Sequence, residues 1–138
     1  MARFKIVIKD EEPPFERDAD KYIKFLCDAL GITTGRDRKG TSCRVFKRVV
    51  KHSSEKGVTT TKEICEDIDM SRGAVVNQIN KMIKAGMIRK EGSYYVLRRK
   101  NLIRTILEMR RDTLRMFERV EKIAKELDEE MGLPKEKR

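Results

Sequence analysis

Residues 60–97, TTKEICEDIDMSRGAVVNQINKMIKAGMIRKEGSYYVL, contain the signals that decide the fold. Their first four residues form a capping box, in which a threonine hydroxyl and the Glu63 carboxylate satisfy free backbone donors at the start of a short helix. A tight turn at Asp69 follows, and Ser71 caps a second helix that Gly86 closes. The stretch therefore predicts a short helix, a tight turn and a longer helix.

Elements on both sides complete the predicted unit. Two strand-like runs, 87–90 and 94–98, follow the longer helix, and residues 91–93 join them as a three-residue hairpin connection that contains a glycine. Before the short helix, Thr41 or Ser42 caps another amphipathic helix. The predicted order is helix, short helix, turn, longer helix and hairpin.

The ends of the chain add further elements. Residues 4–9 alternate enough to place Phe4, Ile6 and Ile8 on one face of a short strand, and apolar residues at helical spacing predict a helix from Phe15 to Leu30. The segment 102–131 has an apolar stripe at close to heptad spacing. Its helix would be about 45 Å long, so it cannot bury the whole stripe on so small a domain.

Positive charge is concentrated in the middle of the chain. The 138 residues include 33 Lys and Arg against 23 Asp and Glu, a net charge of +10. Residues 36–99 hold 16 basic and 7 acidic side chains, a net +9, whereas residues 1–35 have a net charge of −1 and residues 100–131 balance. This concentration is expected of a protein that binds a polyanion, because a merely soluble surface distributes both signs along the chain.

The longer helix has two chemically different sides. Val75, Ile79 and Met82 are predicted to pack inward, and the opposite side carries amides and cations, with no acidic residue from position 71 to 87. A helix fits the major groove of B-form DNA, where Asn and Gln can pair with adenine and Arg with guanine. The predicted DNA contacts are Ser71, Arg72, Gly73, Asn77, Gln78 and Lys81 on this helix, Arg89, Lys90 and Ser93 on the hairpin, Lys47 and Arg48 on the preceding helix, and an arm formed by Arg36, Arg38 and Lys39.

The order of elements resembles a winged helix-turn-helix. Residues 60–99 in particular look like the DNA-binding core of MarR-like and ArsR-like regulators of bacteria and archaea, and with the preceding helix the resemblance covers residues 41–99. The shared features are the Ser-capped helix with its aliphatic inner side, the Ala85-Gly86-Met87-Ile88 junction and the basic turn before Tyr95-Val96-Leu97. The resemblance implies a mainly α fold with a small β-hairpin wing. It also implies a transcriptional regulator that binds double-stranded DNA sequence-specifically, with helix 71–85 in the major groove and wing 87–98 on the backbone or minor groove.

The same resemblance implies a homodimer held together by flanking helices. The predicted divisions are an accessory or dimerisation segment at 1–35, the winged helix-turn-helix at 36–99, a dimerisation helix at 100–131 and a flexible basic tail at 132–138. The predicted dimerisation residues are Ile106, Met109, Met116, Phe117, Val120, Ile123 and Leu127. The alternative is a long helix that folds back on the chain's own N-terminal helix.

Signals for other functions are missing from the sequence. His52 is the single histidine and is expected to be a partly buried structural residue, so no metal cluster can include two histidines. No glycine motif for phosphate binding occurs, and we expect neither an enzyme nor a bound cofactor or metal. No apolar run approaches the roughly 18 residues of a membrane span. Cys27, Cys43 and Cys65 are expected to be buried apolar residues of a nucleoid-associated protein in the reducing cytoplasm, and the dense charge fits a thermophile.

Two other functions stay open from the sequence alone. A winged-helix module that docks onto a protein of the transcription or replication machinery would use its positive charge against an acidic partner. Binding to RNA or to single strands is less favoured, because bases stack on clusters of aromatic side chains and only Tyr94 and Tyr95 are adjacent in this sequence. The sequence indicates no particular effector ligand.

Overall fold

The computed structural model describes residues 3–33 and 40–136. Within these ranges the chain is mainly α-helical, with one small antiparallel hairpin. The elements are α1 (Ala19–Ala29), α2 (Thr41–Lys56), α3 (Thr61–Asp67), α4 (Arg72–Lys84), β1 (Ile88–Glu91), β2 (Tyr94–Leu97) and α5 (Leu102–Met131). From α2 to α5 their order is the predicted one.

The two caps that define the α3–α4 pair are those predicted from the sequence. The Thr60 side-chain oxygen accepts a hydrogen bond from the Glu63 amide at 3.2 Å, and the hydroxyl of Thr60 donates to the Glu63 carboxylate. The Ser71 side-chain oxygen accepts from the Ala74 amide at 3.2 Å. The bonds from the Glu63 and Ala74 amides each satisfy a first-turn donor that has no partner inside its helix. The Glu63 carboxylate accepts from the Thr60 hydroxyl, whereas the capping box predicts a bond to a backbone amide.

Two other helices begin elsewhere than the sequence predicts. Helix α1 starts after Asp18, whose carboxylate accepts from the amides two and three residues further on, so Phe15 lies outside the helix and is fully exposed. Helix α2 follows Gly40, whose φ of 63° lies in the left-handed region. Gly40, and not Thr41 or Ser42, is therefore the N-cap residue. Ser42 lies in the first turn, where its side chain is buried.

One hydrophobic cluster joins the helices and the hairpin. Its fully buried members include Phe46 of α2, Ile64 of α3, Ile79 of α4 and Met87 just before β1. Burying a side chain of this kind contributes roughly 1.5–3 kcal/mol. Helix α1 and the beginning of α5 pack into the same cluster, so the core that orients α4 includes residues from both ends of the chain.

Residues 4–9 have no regular secondary structure, so the strand predicted there is wrong. The Lys5 amide donates to the Lys84 carbonyl at 2.8 Å, and the Lys9 amide donates to the Ala29 carbonyl at 2.7 Å. Both carbonyls belong to last turns, which leave acceptors without partners inside their helices. The backbone partners of this segment are therefore two helix ends instead of a neighbouring strand.

The hairpin is tighter than predicted. Glu91 pairs with Tyr94, so the connection has two residues and not three, and Gly92 has a φ of 62°. Two-residue hairpin loops require this left-handed geometry, which glycine adopts at little cost. Thr59 adds a short backbone pairing to Tyr95, with N···O distances of 2.9 and 2.8 Å, and so ties the approach to α3 to the hairpin.

The N-terminal half of α5 is anchored to the rest of the molecule. Met109 is buried in the core, and Asp112, which is 2% exposed, forms an ion pair with Arg98 just after β2. Glu108 lies 3.5 Å from the same guanidinium. The guanidinium carbon of Arg98 also sits 4.8 Å from the centre of the Phe4 ring. Arg98 therefore joins the hairpin, α5 and the N-terminal segment.

The C-terminal half of α5 projects from the rest of the described chain. Every residue from 117 to 131 is exposed, so the alternative in which this helix folds back on α1 is wrong. Two of the predicted dimerisation residues lie elsewhere, because Met109 is buried in the core and Ile106 packs against it. Six apolar residues of α5 are at least half exposed, and we call them the α5 stripe: Leu107, Leu114, Phe117, Val120, Ile123 and Leu127. At about 3.6 residues per turn the stripe winds around the helix, so that Leu107 and Leu114 lie on the side opposite to Ile123 and Leu127.

The cysteines are less isolated than their sequence spacing suggests. Cys27 of α1 is buried, and a hydrogen bond with the Cys43 thiol, together with burial, raises the pKa of Cys27 far above its usual value. Cys65 is half-buried, and all three cysteines are present as thiols. Among the described residues, no helix has both the length and the apolar character that crossing a membrane would need.

Candidate nucleic-acid interface

Helix α4 packs with the predicted side inward. Val75, Ile79 and Met82 are at most 1% exposed. The opposite side faces solvent and has no carboxylate, because no acidic residue occurs between positions 71 and 87. We call this exposed set the α4 face: Arg72, Gly73, Asn77, Asn80, Lys81 and Lys84.

Two members of the α4 face are not among the residues predicted from the sequence. Asn80 and Lys84 are exposed three and seven positions after Asn77, and these intervals place all three on one side of a helix. The spacing of these residues from Asn77 in the sequence was therefore enough to predict that they share its side of the helix. Asn80 adds a second carboxamide beside that of Asn77, and Lys84 extends the positive charge to the end of the helix.

Gln78, predicted to contact DNA, is engaged inside the molecule. It is half-buried, and its side-chain oxygen accepts a hydrogen bond from the Ser42 hydroxyl at 2.5 Å. This bond links α2 to α4 across the edge of the core. The contact exists because Gly40 occupies the cap position and leaves Ser42 within the first turn of α2. Gln78 thus helps to fix α4, while Asn77 and Asn80 remain exposed.

The beginning of α4 has the electrostatics of an anion-binding helix end. The Ser71 side chain caps one amide, and no acidic residue lies in the first turn. Arg72 is exposed beside the other first-turn amides. Unpaired amides and the helix dipole make such an end attractive to phosphate. Ser71, Arg72 and Gly73 therefore lie together at the end of α4 where a phosphate is most favourably bound.

Lysines of the N-terminal segment extend the positive surface of α4. A groove of about 370 Å³ separates this segment from the second half of α4, and Lys5, Lys9, Lys81 and Lys84 line it. None of the described residues that line the groove is acidic, and its remaining walls are largely apolar. The sequence predicts accessory or dimerisation contacts for residues 1–35. Lys5 and Lys9 could not be connected to α4 from the sequence, because the connection depends on the backbone bond from Lys5 to the end of that helix.

The two predicted cations of α2 have partners within the chain. Lys47 forms an ion pair with Asp20 of α1 at 2.5 Å. Arg48 is half-buried and lies 3.9 Å from the carboxylate of Asp67. Their charges are therefore partly neutralised before any ligand binds. These residues stabilise the packing of α2 against α1 and α3 and are weaker candidates for phosphate contacts than Lys81 and Lys84.

The hairpin tip is exposed but has little excess charge. Arg89 forms an ion pair with Glu91 on the same strand, while Lys90 and Ser93 point to solvent. Tyr95 is buried and Tyr94 is about half exposed, so the two tyrosines do not form one stacking surface. The third predicted group of cations, Arg36, Arg38 and Lys39, lies outside the described residues.

A buried histidine holds the short helix α3 in place. His52 is 6% exposed; its Nδ1 lies 2.6 Å from the Thr59 hydroxyl and its Nε2 lies 2.7 Å from the Asp67 carboxylate. The hydrogen bond with His52, supported by the nearby charges of Arg48 and Lys51, lowers the pKa of the Asp67 carboxyl. Thr59 precedes α3 and Asp67 ends it. His52 therefore fixes both ends of the helix that supports α4.

Comparison of the chain with protein-family models, with curated proteins and with solved structures found no match. Among the described residues, no group of three or more His, Cys, Asp or Glu side chains could hold a metal ion.

Proposed function

We propose that the chain is a winged helix-turn-helix transcriptional regulator that binds double-stranded DNA sequence-specifically as a homodimer. In this proposal α2, α3 and α4 are the three helices of the domain, α4 is the recognition helix and the β1–β2 hairpin is the wing. The order of these elements supports the proposal, as does the packing of α3 against α4 around a tight turn. The likeness to MarR-like and ArsR-like regulators remains a resemblance.

The observation that carries the proposal is the chemistry of the α4 face. An exposed helix side with two carboxamides, three cations and no carboxylate fits the acceptor-rich major groove and the phosphates that border it. An ordinary solvated helix usually mixes both signs of charge. The inner side of α4 is fully buried, so the amide-and-cation side is the one presented to a partner.

The residues divide by chemistry into reading and positioning groups. Asn77 and Asn80 are the proposed base-reading residues, because a carboxamide can donate to and accept from adenine together. Arg72 reaches guanine or phosphate near the helix end. Lys81 and Lys84, together with Lys5 and Lys9 of the N-terminal segment, are the proposed phosphate contacts. Gln78 acts as a positioning residue through Ser42.

The wing is proposed to contact the backbone from one side of α4. Lys90 and Ser93 supply the positive charge and the hydroxyl for this contact. Glu91 neutralises Arg89 and would approach phosphates if the tip entered the minor groove deeply. We therefore assign a larger share of the DNA affinity to α4 than to the hairpin, and we assign the sequence readout to α4.

The second part of the proposal is dimerisation through α5. The α5 stripe leaves six large apolar side chains at least half exposed in the single chain. Exposed apolar side chains on a projecting helix are typical of a protein–protein contact surface. A two-fold dimer would present two α4 helices to a pseudo-palindromic site.

The test of DNA binding is the salt dependence of affinity, measured by fluorescence anisotropy on duplex DNA with the full chain. Lys81→Gln should weaken binding and reduce the slope of log affinity against log salt by roughly 0.9 for each lost phosphate contact, hence by roughly 1.8 for a bound dimer. Lys122→Gln, on the far half of α5, is the matched control and should leave affinity and slope unchanged. Equal slopes for Lys81→Gln and the parent would overturn the assigned face.

The test of sequence readout is in-vitro site selection. Asn77→Ala should relax the preference for adenine at one position of each half-site, because the paired donor and acceptor are removed. Identical selected profiles from the variant and the parent would refute base reading by this residue. If nuclease-treated parent protein binds no duplex even at low salt, the alternative of a protein-docking winged-helix module replaces the regulator.

A further inference from the structure

The groove between the N-terminal segment and α4 has more apolar surface than contacts with DNA phosphates would need. Beside its four lysines, its walls include Val7, Leu30, Ile32 and Met82. Its volume of about 370 Å³ falls in the range of small-molecule sites, which are mostly apolar and contain a few polar groups that orient the ligand. Phosphates of DNA account for the cations of the groove but not for its apolar walls.

Two backbone hydrogen bonds hold the N-terminal wall of this groove in place. They attach Lys5 to the end of α4 and Lys9 to the end of α1. Between them, Val7 approaches Gly31 so closely that a Cβ on Gly31 would lie 2.8 Å from the Val7 side chain. Ile6 packs against the hydrophobic core on the other side of the segment. The wall is therefore fixed at both ends and in the middle, and the groove is preformed.

Three of the four lysines lie close together at one end of the groove. The backbone bond from Lys5 to Lys84 brings these two residues together, and Lys81 precedes Lys84 by about one helical turn. Lys9 lies near the other end, beside α1. None of the four forms an ion pair with a described carboxylate, whereas several lysines of α1 and α2 do. An anion bound among the three grouped lysines would offset the repulsion between their like charges.

We propose that this groove binds a small amphipathic anion, a single alkyl chain that ends in a carboxylate or phosphate group. The anionic head would lie among Lys5, Lys81 and Lys84. The chain would follow the apolar wall beside Val7 toward α1 and release water from that wall. A ligand with both parts matches the cations and the apolar walls together, which an inorganic ion or an uncharged hydrocarbon does not.

The proposed ligand shares cations with the DNA interface. Lys81 and Lys84 belong to the α4 face, and a bound anionic head would neutralise charge that the phosphates of a duplex would otherwise meet. Ligand and DNA would therefore compete, and the amphiphile would release the protein from its site. This competition rests on the proposed function, whereas binding of the amphiphile does not.

Isothermal titration calorimetry on the full chain without DNA tests the binding. Hexanoate, octanoate and decanoate form a series in which affinity should rise by up to about fourfold for each added methylene, since each one buries further apolar surface. Decyl phosphate identifies the preferred head group, and tighter binding than inorganic phosphate supports the proposal. Affinity that does not depend on chain length, or equal binding of decyltrimethylammonium and decanoate, would overturn it.

Two substitutions test whether the amphiphile occupies this groove. Lys5→Gln should weaken decanoate binding by about three- to fivefold, the effect of one exposed charge contact. Val7→Thr keeps the shape of the wall but adds a hydroxyl that the chain would desolvate, and should weaken binding by about threefold. Lys122→Gln, on the far half of α5, is the control and should leave the affinity unchanged. Parent-like affinity in both Lys5→Gln and Val7→Thr would overturn the assigned site.

Fluorescence anisotropy with duplex DNA tests the competition. Decanoate at ten times its own dissociation constant should weaken duplex binding about tenfold for each site, as mass action requires of a competitor. Acetate at the same concentration is the control for the added ionic strength and should have little effect. Unchanged duplex affinity in the presence of bound decanoate would overturn the competition. A parent that binds decanoate but no duplex would overturn the proposed function and leave the ligand site standing.

Discussion

Replacement of Asp112 provides the most demanding test of how the fold supports the α4 face. Asp112 is 2% exposed and accepts from Arg98 and Arg115. We expect Asp112→Ala to destabilise the folded state, because it leaves the Arg98 guanidinium, whose side chain is only 21% exposed, without its main counter-charge. The loss would occur at the point where α5, the hairpin and the N-terminal segment meet.

The magnitude follows from the surroundings of the pair. Removing one partner of a buried ion pair typically costs about 3–5 kcal/mol. Here Glu108 still lies 3.5 Å from Arg98 and offsets part of the cost. The exposed pair with Arg115 contributes little, roughly 0–1 kcal/mol. We therefore expect Asp112→Ala to lower the free energy of unfolding by about 2–3 kcal/mol and Asp112→Asn by less, because the amide still accepts a hydrogen bond.

Urea unfolding followed by circular dichroism, at one protein concentration, measures this change. Glu118→Ala, on the exposed side of the same helix, is the matched control and should stay within about 0.5 kcal/mol of the parent. If Asp112→Ala and Glu118→Ala unfold at the same urea concentration, the buried pair does not anchor α5. If Asp112→Ala has the urea midpoint of the parent but binds DNA more weakly, the substitution acts on the position of the N-terminal segment and not on global stability.

Two further predictions concern the supports of the same domain. Asp67→Asn should lower the urea midpoint at neutral pH, and the difference from the parent should shrink as pH falls below about 4, because a carboxyl with a lowered folded-state pKa stabilises the fold above its unfolded pKa and loses that effect as it is protonated. A difference that stays constant down to about pH 2 would contradict the role of this carboxylate. Gly31→Ala should cost more than about 1 kcal/mol, because φ is 67° and a Cβ would lie 2.8 Å from Val7. Gly73→Ala, which meets no atom within 4 Å, is its control and should be neutral or stabilising in thermal unfolding.

Local signals in the sequence were sufficient to predict the α3–turn–α4 unit. A capping threonine and a capping serine act within three residues of their partners, and the 3.6-residue period fixes which side of α4 is aliphatic. The buried positions of Val75, Ile79 and Met82 follow from that period alone. The exposed positions of Asn80 and Lys84 follow from the same period, once Asn77 is placed on the outer side.

Contacts between distant residues could not be predicted in the same way. Ser42 and Gln78 are 36 positions apart, and nothing near either residue indicates that they form a hydrogen bond. The pairing of Lys47 with Asp20 likewise depends on how α1 packs against α2. Such contacts turn residues that look like free ligands for phosphate or bases into structural ones. Helix periodicity predicts exposure well, but it cannot predict which exposed charges find partners.

The buried position of His52 has a practical consequence for studying the protein. Because it is the chain's single histidine, its imidazole C–H signals in a proton NMR spectrum can be assigned without mutation. The ring contacts both ends of α3 through Thr59 and Asp67. Those signals therefore report whether α3 shifts when duplex DNA is added. The imidazole of His52 is thus a native spectroscopic probe of the contact between α3 and the proposed recognition helix.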